Sequence, residues 1–275
     1  MRPSIICWTI VCVVVVPQSL CIDARGDEDN QIATWPNETN TGVRSGVSLK
    51  PSGGFVVTEA DTVISGLDIQ GGVHIKAPNV TLIDSRVTSA SFYIVRIEPG
   101  ITGAVIQNCE IDGTGEANDG SYGIVGQGTF IANNIYNVEN GIGVSGADTL
   151  IRDNYIHDLR ASGSPHYDGI QVDGGNSNIT IQHNTVINSY TQTSAVMIDN
   201  YFGPVLNVAV ENNVLIGGGY TVYADGQFNG GSIVGVSFTN NRLGKGKWGY
   251  RSFVRNTPAW RGNVDHFSGR YLGAR

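Results

Sequence analysis

The chain has 275 residues and a formal net charge of −7, with 17 Lys and Arg against 24 Asp and Glu. Only 15% of the residues are charged and the sequence pI is about 5.1, which excludes a protein whose main role is to bind the phosphate backbone of nucleic acids. The 37 glycines indicate a fold with many tight turns.

Residues 1–21 have the layout of a secretory signal peptide. Arg2 precedes an apolar run over residues 5–16, and Pro17 begins a short segment that ends at Cys21. We therefore expect a secreted protein whose mature chain begins near residues 22–25. Lipid attachment at Cys21 is the alternative, although Leu20 is bulkier than the residue preferred before such a cysteine. No later stretch is long and apolar enough to span a membrane.

The mature chain is expected to form one domain. Residues 22–42 are polar and acidic, which predicts a leader that ends in an N-terminal cap around Trp35. Residues 43–275 follow as a solenoid, with a C-terminal cap in the aromatic stretch from Trp248 to Tyr271. Cys109 is the only cysteine beyond residue 21, so the mature chain can form no internal disulfide.

A motif of the form apolar-x-x-Asn-x-apolar recurs along almost the whole mature chain, at spacings of 18 to 30 residues. The flanking segments alternate Val, Ile, Thr, Phe and Tyr with polar residues, which predicts short strands and excludes helical repeats. The nine copies are Ile64/Leu67/Ile69, Leu82/Ser85/Val87, Ile106/Cys109/Ile111, Ile131/Asn134/Tyr136, Ile151/Asn154/Ile156, Ile181/Asn184/Val186, Val210/Asn213/Leu215, Phe238/Asn241/Leu243 and Trp260/Asn263/Phe267.

The Asn at the centre of the motif predicts a bend between two strands. Asn tolerates the left-handed backbone conformation, and its amide can bond to backbone groups that a bend leaves unpaired. Asn134, Asn154, Asn184, Asn213 and Asn241 are therefore expected to stack as a buried ladder. In the earlier copies, small residues would take the same slot where the ladder ends.

A buried Asn ladder with three short strands per coil resembles the right-handed parallel β-helix of pectate-lyase-like proteins, from about Val43 onward. The opening Asn40 to Val43, the coils of the form Asn-x-Thr-Ile or Asn-x-x-Val, and the run from Thr193 through Thr221 resemble secreted bacterial members of this group. The resemblance implies an all-β solenoid of about nine coils with a polysaccharide-binding groove along one strand face. The chain lacks the Arg-Pro-x-x-Arg signature of pectate lyases and the Asp-Asp, Gly-His-Gly and Arg-x-Lys signatures of polygalacturonases.

The third strand of each coil carries the candidate site. Strict alternation places Ile170 and Val172 inward, so that two neighbouring columns of side chains face outward. One column is Arg96, Val125, Gly143, Gln171, Met197 and Tyr223, and the other is Glu98, Gln127, Ser145, Asp173, Asp199 and Asp225.

Asp173, Asp199 and Asp225 would stand about 4.8 Å apart on successive strands, where ionised carboxylates repel each other. A bound cation such as Ca²⁺, a bound proton or a cationic partner would relieve the repulsion, and this reading makes the row a functional site. The alternative is that each Asp only begins the turn that follows it by bonding to the backbone.

Further candidates lie beside this row. His166 and Asp168 precede the strand with Tyr167 between them, and they are candidate acid–base groups together with Tyr223. Substrate contacts are expected from Gln171, Tyr201 and Arg96. His74, His157 and His183 are interpreted as structural residues on other faces.

A secreted lyase that cleaves an acidic, uronate-containing polysaccharide by β-elimination is the first functional hypothesis. The three aspartates would bind the cation, His166 would remove the C5 proton, and Tyr167 or Tyr223 would protonate the leaving oxygen. A glycoside hydrolase could use two of the same aspartates, and a C5-epimerase would share the first step of the lyase. A non-catalytic carbohydrate-binding or adhesive solenoid is the remaining alternative.

Overall fold

The structure is a computed structural model that describes residues 34–117 and 119–273. The predicted signal peptide, Cys21 and the leader up to residue 33 lie outside the described residues, so these predictions are untested. Every regular element in the described ranges is a β-strand. None of their segments forms a helix of the length and apolarity that a membrane crossing needs.

In the described residues, seven complete coils contribute three strands each, and all pairs between coils are parallel. We call them the pre-corner strand, the post-corner strand and the front strand, because the bend occupied by the repeated Asn separates the first two. Two strands before these coils, β1 Lys50–Val57 and β3 Leu67–Ile75, are long enough to span both the post-corner and front positions, which joins these two sets into one 17-stranded sheet. This architecture is the parallel β-helix that the sequence predicts.

The pre-corner strands form a separate nine-stranded sheet. They are β2 Val63–Ser65, β4 Thr81–Ile83, β7 Val105–Gln107, β10 Thr129–Ile131, β13 Ala147–Arg152, β16 Asn176–Gln182, β19 Val205–Glu211, β22 Ile233–Thr239 and β25 Ala259–Arg261. The post-corner strands are β5 Arg86–Thr88, β8 Glu110–Asp112, β11 Asn134–Tyr136, β14 Tyr155–Ile156, β17 Thr185–Asn188, β20 Val214–Gly217, β23 Arg242–Gly244 and β26 Val264–Asp265. The front strands are β6 Tyr93–Ile97, β9 Tyr122–Gly126, β12 Asn140–Val144, β15 Asp168–Val172, β18 Ser194–Ile198, β21 Tyr220–Asp225 and β24 Gly249–Val254, after β1 Lys50–Val57 and β3 Leu67–Ile75.

The core is a continuous stack of aliphatic side chains along the solenoid axis. Ile106, Ile151, Ile181 and Val210 are fully buried at equivalent positions of successive or nearby coils. Burying each such side chain contributes about 1.5–3 kcal/mol.

Within the described residues each of the nine predicted repeats contains a pre-corner strand, so the apolar pattern located the stack correctly. Only seven coils have all three strands, slightly fewer than the nine predicted coils. In the last repeat Phe267 is 76% exposed, and Asp265 is the residue paired with Leu243.

The prediction for one copy was wrong by a single residue. The ladder residue of that coil is Asn133, which is fully buried between Phe130 and Ile135, and Asn134 lies outside the ladder and accepts a bond from His157 Nε2 at 2.9 Å. Both registers satisfy the motif, because two Asn residues are adjacent. A slip of one residue moves every side chain of a strand to its opposite face.

The ladder is a chain of hydrogen bonds that links each coil to the next. Asn184 illustrates it: its backbone N–H and Nδ2 both donate to Oδ1 of Asn213, while its own Oδ1 accepts the same pair of bonds from Asn154, all at 2.8–3.0 Å. The remaining Nδ2 proton is directed at backbone carbonyls of Ile151 and Gln182. The ladder residues are Asn133, Asn154, Asn184, Asn213, Asn241 and Asn263.

In the earlier coils, small residues occupy the position that the ladder Asn occupies in the later coils. Cys109 is fully buried, its N–H donates to Asn133 Oδ1, and burial raises the pKa of its thiol to about 12. Ser85 accepts a bond from the backbone of Leu67 at 3.2 Å. These contacts agree with the substitutes expected where the ladder ends.

The left-handed backbone at each bend belongs to the residue before the ladder position, which corrects our prediction for Asn. His183 has φ of 51° and Ala132 has φ of 53°, whereas the ladder Asn residues that follow them have ordinary backbone. Two residues therefore form each bend: the first adopts the left-handed backbone conformation, and the ladder residue after it pairs the buried backbone groups. The left-handed residues are Gly66, Asp84, Asn108, Ala132, Asp153, His183, Asn212, Asn240 and Gly262.

The segment that begins at Trp35 lies along the ladder bends. Its indole stacks on the ring of His183 at 5.0 Å between centroids, and Gly42 donates its N–H to Ala132 O at 2.9 Å. Farther along, Arg44 Nε donates to Asp84 Oδ1 at 2.8 Å and lowers the pKa of that carboxyl. Trp35, which the sequence assigns to an N-terminal cap, thus contacts a coil in the middle of the repeat.

Two adjacent Asn residues provide a matched test of the ladder. We expect Asn133→Ala to lower the free energy of unfolding by roughly 2–4 kcal/mol, because buried backbone groups lose their partners. Asn134→Ala should cost about 1 kcal/mol or less, since that side chain makes an exterior contact. Chemical denaturation measures both, and equal losses would contradict the assigned register.

Ala132 is the corner residue with neither a glycine backbone nor a polar side chain. We expect Ala132→Gly to stabilise the fold by roughly 0.5–1 kcal/mol, because the left-handed conformation costs alanine more than glycine loses in chain entropy. The control is Ala209→Gly in β19, which should destabilise by about 0.5–1 kcal/mol. A destabilising Ala132→Gly would show that this corner does not hold the left-handed conformation.

Candidate functional site

The front strands align two of the predicted columns in space. Direct pairing places Arg96, Val125, Gly143, Gln171 and Met197 on consecutive strands, with Tyr223 on the next. In the second column, the pairs formed by β15 and β18 and the bridge between Asp199 and Asp225 place the three aspartates on successive coils. The stacking distance of about 4.8 Å therefore applies to their backbones.

A third outward column begins each front strand, and sequence alternation missed it. Its members Tyr122, Asn140, Asp168 and Ser194 are paired in that order. Alternation fails because two consecutive residues face the core: a Cβ at Gly169 would lie 2.1 Å from Val186 Cγ1, and Ile170 is also buried. Asp168 thus lies on the outward side.

Tyr122 reaches across one coil to the next. Its ring lies over Gly143, where an added Cβ would be 2.5 Å from the ring, and its hydroxyl donates to Gln171 Oε1 at 2.6 Å. Burial, followed by the charge of Asp173, raises the pKa of this phenol well above its usual value. Tyr122 therefore stays protonated and acts as a hydrogen-bond donor at neutral pH.

These columns enclose a cleft of about 480 Å³, which we call the front cleft. Phe92, Tyr93 and Phe202 supply aromatic surface, and Gln171 and Asp173 supply the polar groups. Pockets that bind small ligands commonly combine apolar walls with a few such polar groups. The lining residues are Phe92, Tyr93, Gly120, Tyr122, Val125, Gly143, Val144, Ser145, Gln171, Asp173, Gly174 and Phe202.

Asp173 differs from the other two aspartates of the row. Asp199 Oδ1 accepts the N–H of Tyr201 at 2.8 Å, and Asp225 Oδ1 accepts the N–H of Gln227 at 3.0 Å, so both begin turns. Asp173 Oδ1 is buried and has no hydrogen-bond partner in the described ranges. The turn-forming alternative thus accounts for two of the three residues.

The environment of Asp173 favours its protonated form. Burial and then the charge of Asp199 raise the pKa of this carboxyl to about 7, and the neighbouring Gln171 amide opposes the shift. Burial, and more weakly Asp225, also raises the pKa of Asp199. Asp173 can therefore take up or release a proton near neutral pH.

Asp168 is a buried group beside the cleft. Its Oδ1 accepts bonds from Ser194 N at 3.1 Å and Ser194 Oγ at 2.7 Å, and burial raises its pKa well above the usual value. Asn140 occupies the paired position on the preceding coil, and its Oδ1 is buried without a donor among residues 34–117 and 119–273. Asp168 thus lies beneath the surface of the site, where burial favours its protonated form.

The other predicted acid–base residues lie apart from this cluster. Tyr167 is buried in the core, stacks on Tyr190 at 3.7 Å and bonds through its hydroxyl to Ala161, which leaves it no role at the cleft. The ring of His166 is exposed, and its backbone N–H donates to Glu139 Oε1 at 2.9 Å. Tyr223 is on the front face, but its hydroxyl accepts the N–H of Tyr220 at 3.3 Å.

Of the three predicted substrate contacts, two lie in or beside the front cleft and one lies in a neighbouring depression. Gln171 lies within the front cleft, and Tyr201 is exposed next to it, packing edge-on against Phe202 at 4.8 Å. Arg96 lines a neighbouring depression of about 530 Å³ that shares Phe92 and Tyr93 with the front cleft.

His74 is on the front face, which corrects its structural interpretation. It pairs with Arg96, and its Nε2 lies 2.6 Å from Glu98 Oε2. Glu98 also lies 3.7 Å from Arg96, and the bond to His74 is the main cause of its lowered pKa. A cue was present in the sequence: His74 stands 22 residues before Arg96, close to one coil.

In the described ranges, no group of three or more His, Cys, Asp or Glu side chains is arranged to hold a metal ion. Asp199 and Asp225 instead direct carboxylate oxygens at backbone N–H groups. Calcium binding by the three aspartates therefore stays a prediction from the sequence.

The parallel coils, the Asn ladder and the outward cleft together define a β-helix protein. The chain belongs to the right-handed β-helix family, whose model, described as "Right handed beta helix region", matches residues 44–213. An alginate lyase from Paenibacillus sp. str. FPU-7 has a similar fold, with a TM-score of 0.52 and 14% identity over 80% of this chain and 88% of that chain. No curated protein sequence matches the chain.

The raised pKa of Asp173 predicts a pH-dependent stability. Since the folded-state pKa of about 7 exceeds the ordinary value of 3.8, stability is fully present below pH 3.8 and is lost as pH rises through 7. Asp173→Asn removes this loss, so at pH 8 the variant should be more stable than the wild type by roughly 1–4 kcal/mol. Denaturation at pH 4 is the internal control, where the difference between the two proteins should be much smaller; a difference independent of pH would contradict the assignment.

Proposed function

We propose that the chain is a polysaccharide lyase that cleaves an acidic, uronate-containing polysaccharide by β-elimination in the front cleft. The observation that carries this proposal is Asp173, a half-buried carboxyl with a pKa of about 7 whose buried Oδ1 has no hydrogen-bond partner among the described residues and which lines an aromatic-walled cleft. Proton-transfer groups are most effective when their pKa lies near the working pH. A signal peptide at residues 1–21 would place the enzyme outside the cell, where such polymers occur.

β-Elimination requires three chemical functions around one sugar. A base removes the C5 proton, hydrogen-bond donors neutralise the uronate carboxylate, and an acid delivers a proton to O4 as the C4–O bond breaks and the C4–C5 double bond forms. Asp173 in its ionised form is the base in our proposal. Gln171 donates its amide to the uronate carboxylate, and Tyr122, whose hydroxyl donates to Gln171 Oε1, holds that amide in place. Asp173, protonated once it has taken the C5 proton, is then the acid that delivers the proton to O4.

The walls of the cleft suit a sugar ring. Phe92, Tyr93 and Phe202 present aromatic surface on which the apolar face of a pyranose can pack. The structural neighbour is named as an alginate lyase, and this supports a uronate polymer as the first substrate to test. At 14% identity the likeness extends to the fold alone, so the residue roles proposed here rest on the geometry of this chain.

A retaining glycoside hydrolase is the second candidate, and one observation favours it. Asp173 and Asp199 lie on adjacent strands, about 4.8 Å apart along the backbone, which is near the separation that retaining enzymes use. Burial raises both pKa values, most clearly that of Asp173. In this mechanism Asp173 would be the general acid and Asp199 the nucleophile.

The product and the pH profile separate the two mechanisms. A lyase yields an unsaturated uronate that absorbs ultraviolet light, whereas a hydrolase yields reducing ends without that absorbance. If Asp173 is the base of a lyase, kcat/KM should rise with pH through about 7, because the ionised form is active. If it is the acid of a hydrolase, kcat/KM should fall through the same range.

We expect Asp173→Asn to reduce turnover of alginate or polygalacturonate by roughly a hundredfold or more. The matched control is Asp225→Asn, the same change in the same column, where Gln227 occupies both carboxylate oxygens, and it should retain activity within about fivefold. Assays with and without a chelator test the calcium hypothesis. A folded Asp173→Asn protein with wild-type turnover would exclude Asp173 as the catalytic group.

A further inference from the structure

A second depression lies at the C-terminal end of the solenoid, where Arg251 follows the inward column of Ile170, Val196 and Val222 and lies beyond the last of these buried side chains. It has a volume of about 470 Å³ and is lined by Tyr220, Trp248, Arg251, Trp260, Arg270 and Tyr271; we call it the C-terminal platform. β24 carries Arg251 three strands beyond β15, which places the platform about 14 Å along the solenoid axis from Asp173. The platform and the front cleft share no lining residue.

Aromatic rings form an exposed surface there. Trp248 is 54% exposed and Tyr271 is 69% exposed, although large aromatic side chains in a packed cap are normally covered. Tyr220 supports Trp248 at 5.9 Å between ring centroids and also contacts Tyr223 edge-on. Trp260, by contrast, belongs to the cap, because its Nε1 donates to Leu272 O at 2.8 Å.

The platform is also cationic. The guanidinium of Arg251 lies over the ring of Trp260 at 4.4 Å, and Lys247 Nζ lies over the ring of Trp248 at 5.4 Å. Within residues 34–117 and 119–273, neither cation forms a salt bridge with a carboxylate. The acidic residue near Arg270 is Asp265, and its oxygens already accept bonds from Ser268 and Tyr250.

Cations that rest on aromatic rings without an acidic partner retain their capacity to bind an anion. A pyranose ring packs on exposed indole and phenol faces, and a carboxylate on that ring would reach the guanidinium beside them. A neutral sugar would use the rings alone, and a nucleic acid would meet a chain with a net charge of −7. The chemistry of the platform therefore matches a saccharide unit that carries a carboxylate.

We propose that the C-terminal platform is a non-catalytic binding site for an anionic saccharide unit, with Trp248 as the stacking surface and Arg251 and Lys247 as the carboxylate contacts. The proposal does not depend on the lyase reaction, since the platform would hold an acidic glycan whether or not the front cleft cleaves it. In a protein that does cleave, the platform would retain a long polymer beside the cleft between turnovers.

Tryptophan fluorescence isolates this site, because no tryptophan lines the front cleft. The experiment titrates short mannuronate and galacturonate oligosaccharides into the Asp173→Asn protein, so that turnover does not interfere. We expect a saturable fluorescence change that weakens with added salt, and no comparable change with a neutral gluco-oligosaccharide. A neutral oligosaccharide that binds as tightly as the acidic ones would overturn the proposal.

Single variants in the same background assign the signal. Trp248→Ala should weaken the apparent affinity by roughly tenfold or more, and the fluorescence change that remains should come from Trp260, which also lines the platform. Arg251→Gln should weaken the apparent affinity by roughly tenfold, and Lys247→Glu should weaken it through charge reversal. The controls are Trp35→Phe, whose indole stacks on His183 on another side, and Phe267→Ala, which is 76% exposed outside the platform. Melting temperatures identify any variant that fails to fold.

The result is independent of the enzymatic assay. A change in affinity confined to the platform variants supports the binding site even if no polymer is cleaved. An apparent affinity that Trp248→Ala leaves unaltered, or one that Lys247→Glu and Arg251→Gln both leave unaltered, overturns it, whatever the activity of the front cleft.

Discussion

The buried bend between the pre-corner and post-corner strands is the constraint on which the rest of this molecule depends. A bend in the interior leaves backbone N–H and C=O groups that must be paired, because an unpaired buried group costs on the order of 1–3 kcal/mol. The repeated Asn meets this demand by bonding to the next coil through Oδ1 and to carbonyls through Nδ2. The residue before it takes the left-handed conformation, as His183 and Ala132 do.

This bend also determines what the front face can do. Because each Asn bonds to the Asn one coil away, the coils are fixed in register, and side chains at equivalent positions of the front strands must stack. The stacking places carboxylates of the acidic row next to each other, where they repel. The interactions that reduce this repulsion differ among Asp173, Asp199 and Asp225. Asp199 and Asp225 bond to turn N–H groups, whereas Asp173 is half-buried, its Oδ1 lacks such a bond, and its pKa is raised toward neutrality.

Much of this arrangement can be predicted from the sequence, because the apolar period and the Asn spacing report directly on burial. The stack of coils follows from the Asn repeat, and the acidic row and the column that contains Gln171 follow from strand alternation. Strand alternation gives the wrong residue where two registers fit the motif, or where two consecutive residues face the core. Asn133 and Asn134 both fit the motif, and Gly169 adds a second inward residue that places Asp168 and Tyr122 on the outward side. Contacts between distant segments, such as Trp35 on His183, leave no periodic signal at all.

The charges of the front face are distributed unevenly, and this distribution bears on how an acidic polymer would lie. At the N-terminal end, Glu98 neutralises Arg96 and contacts His74, so little attraction for an anion remains there. The centre holds carboxyls whose raised pKa values reduce their repulsion of a uronate near neutral pH. Arg251 and Lys247 at the C-terminal end have no salt-bridge partner within the described part of the chain. The proposed platform therefore lies at the end of the solenoid where Arg251 and Lys247 are free to meet an anion, and a polymer held there as we propose would pass Tyr223 on its way to the front cleft.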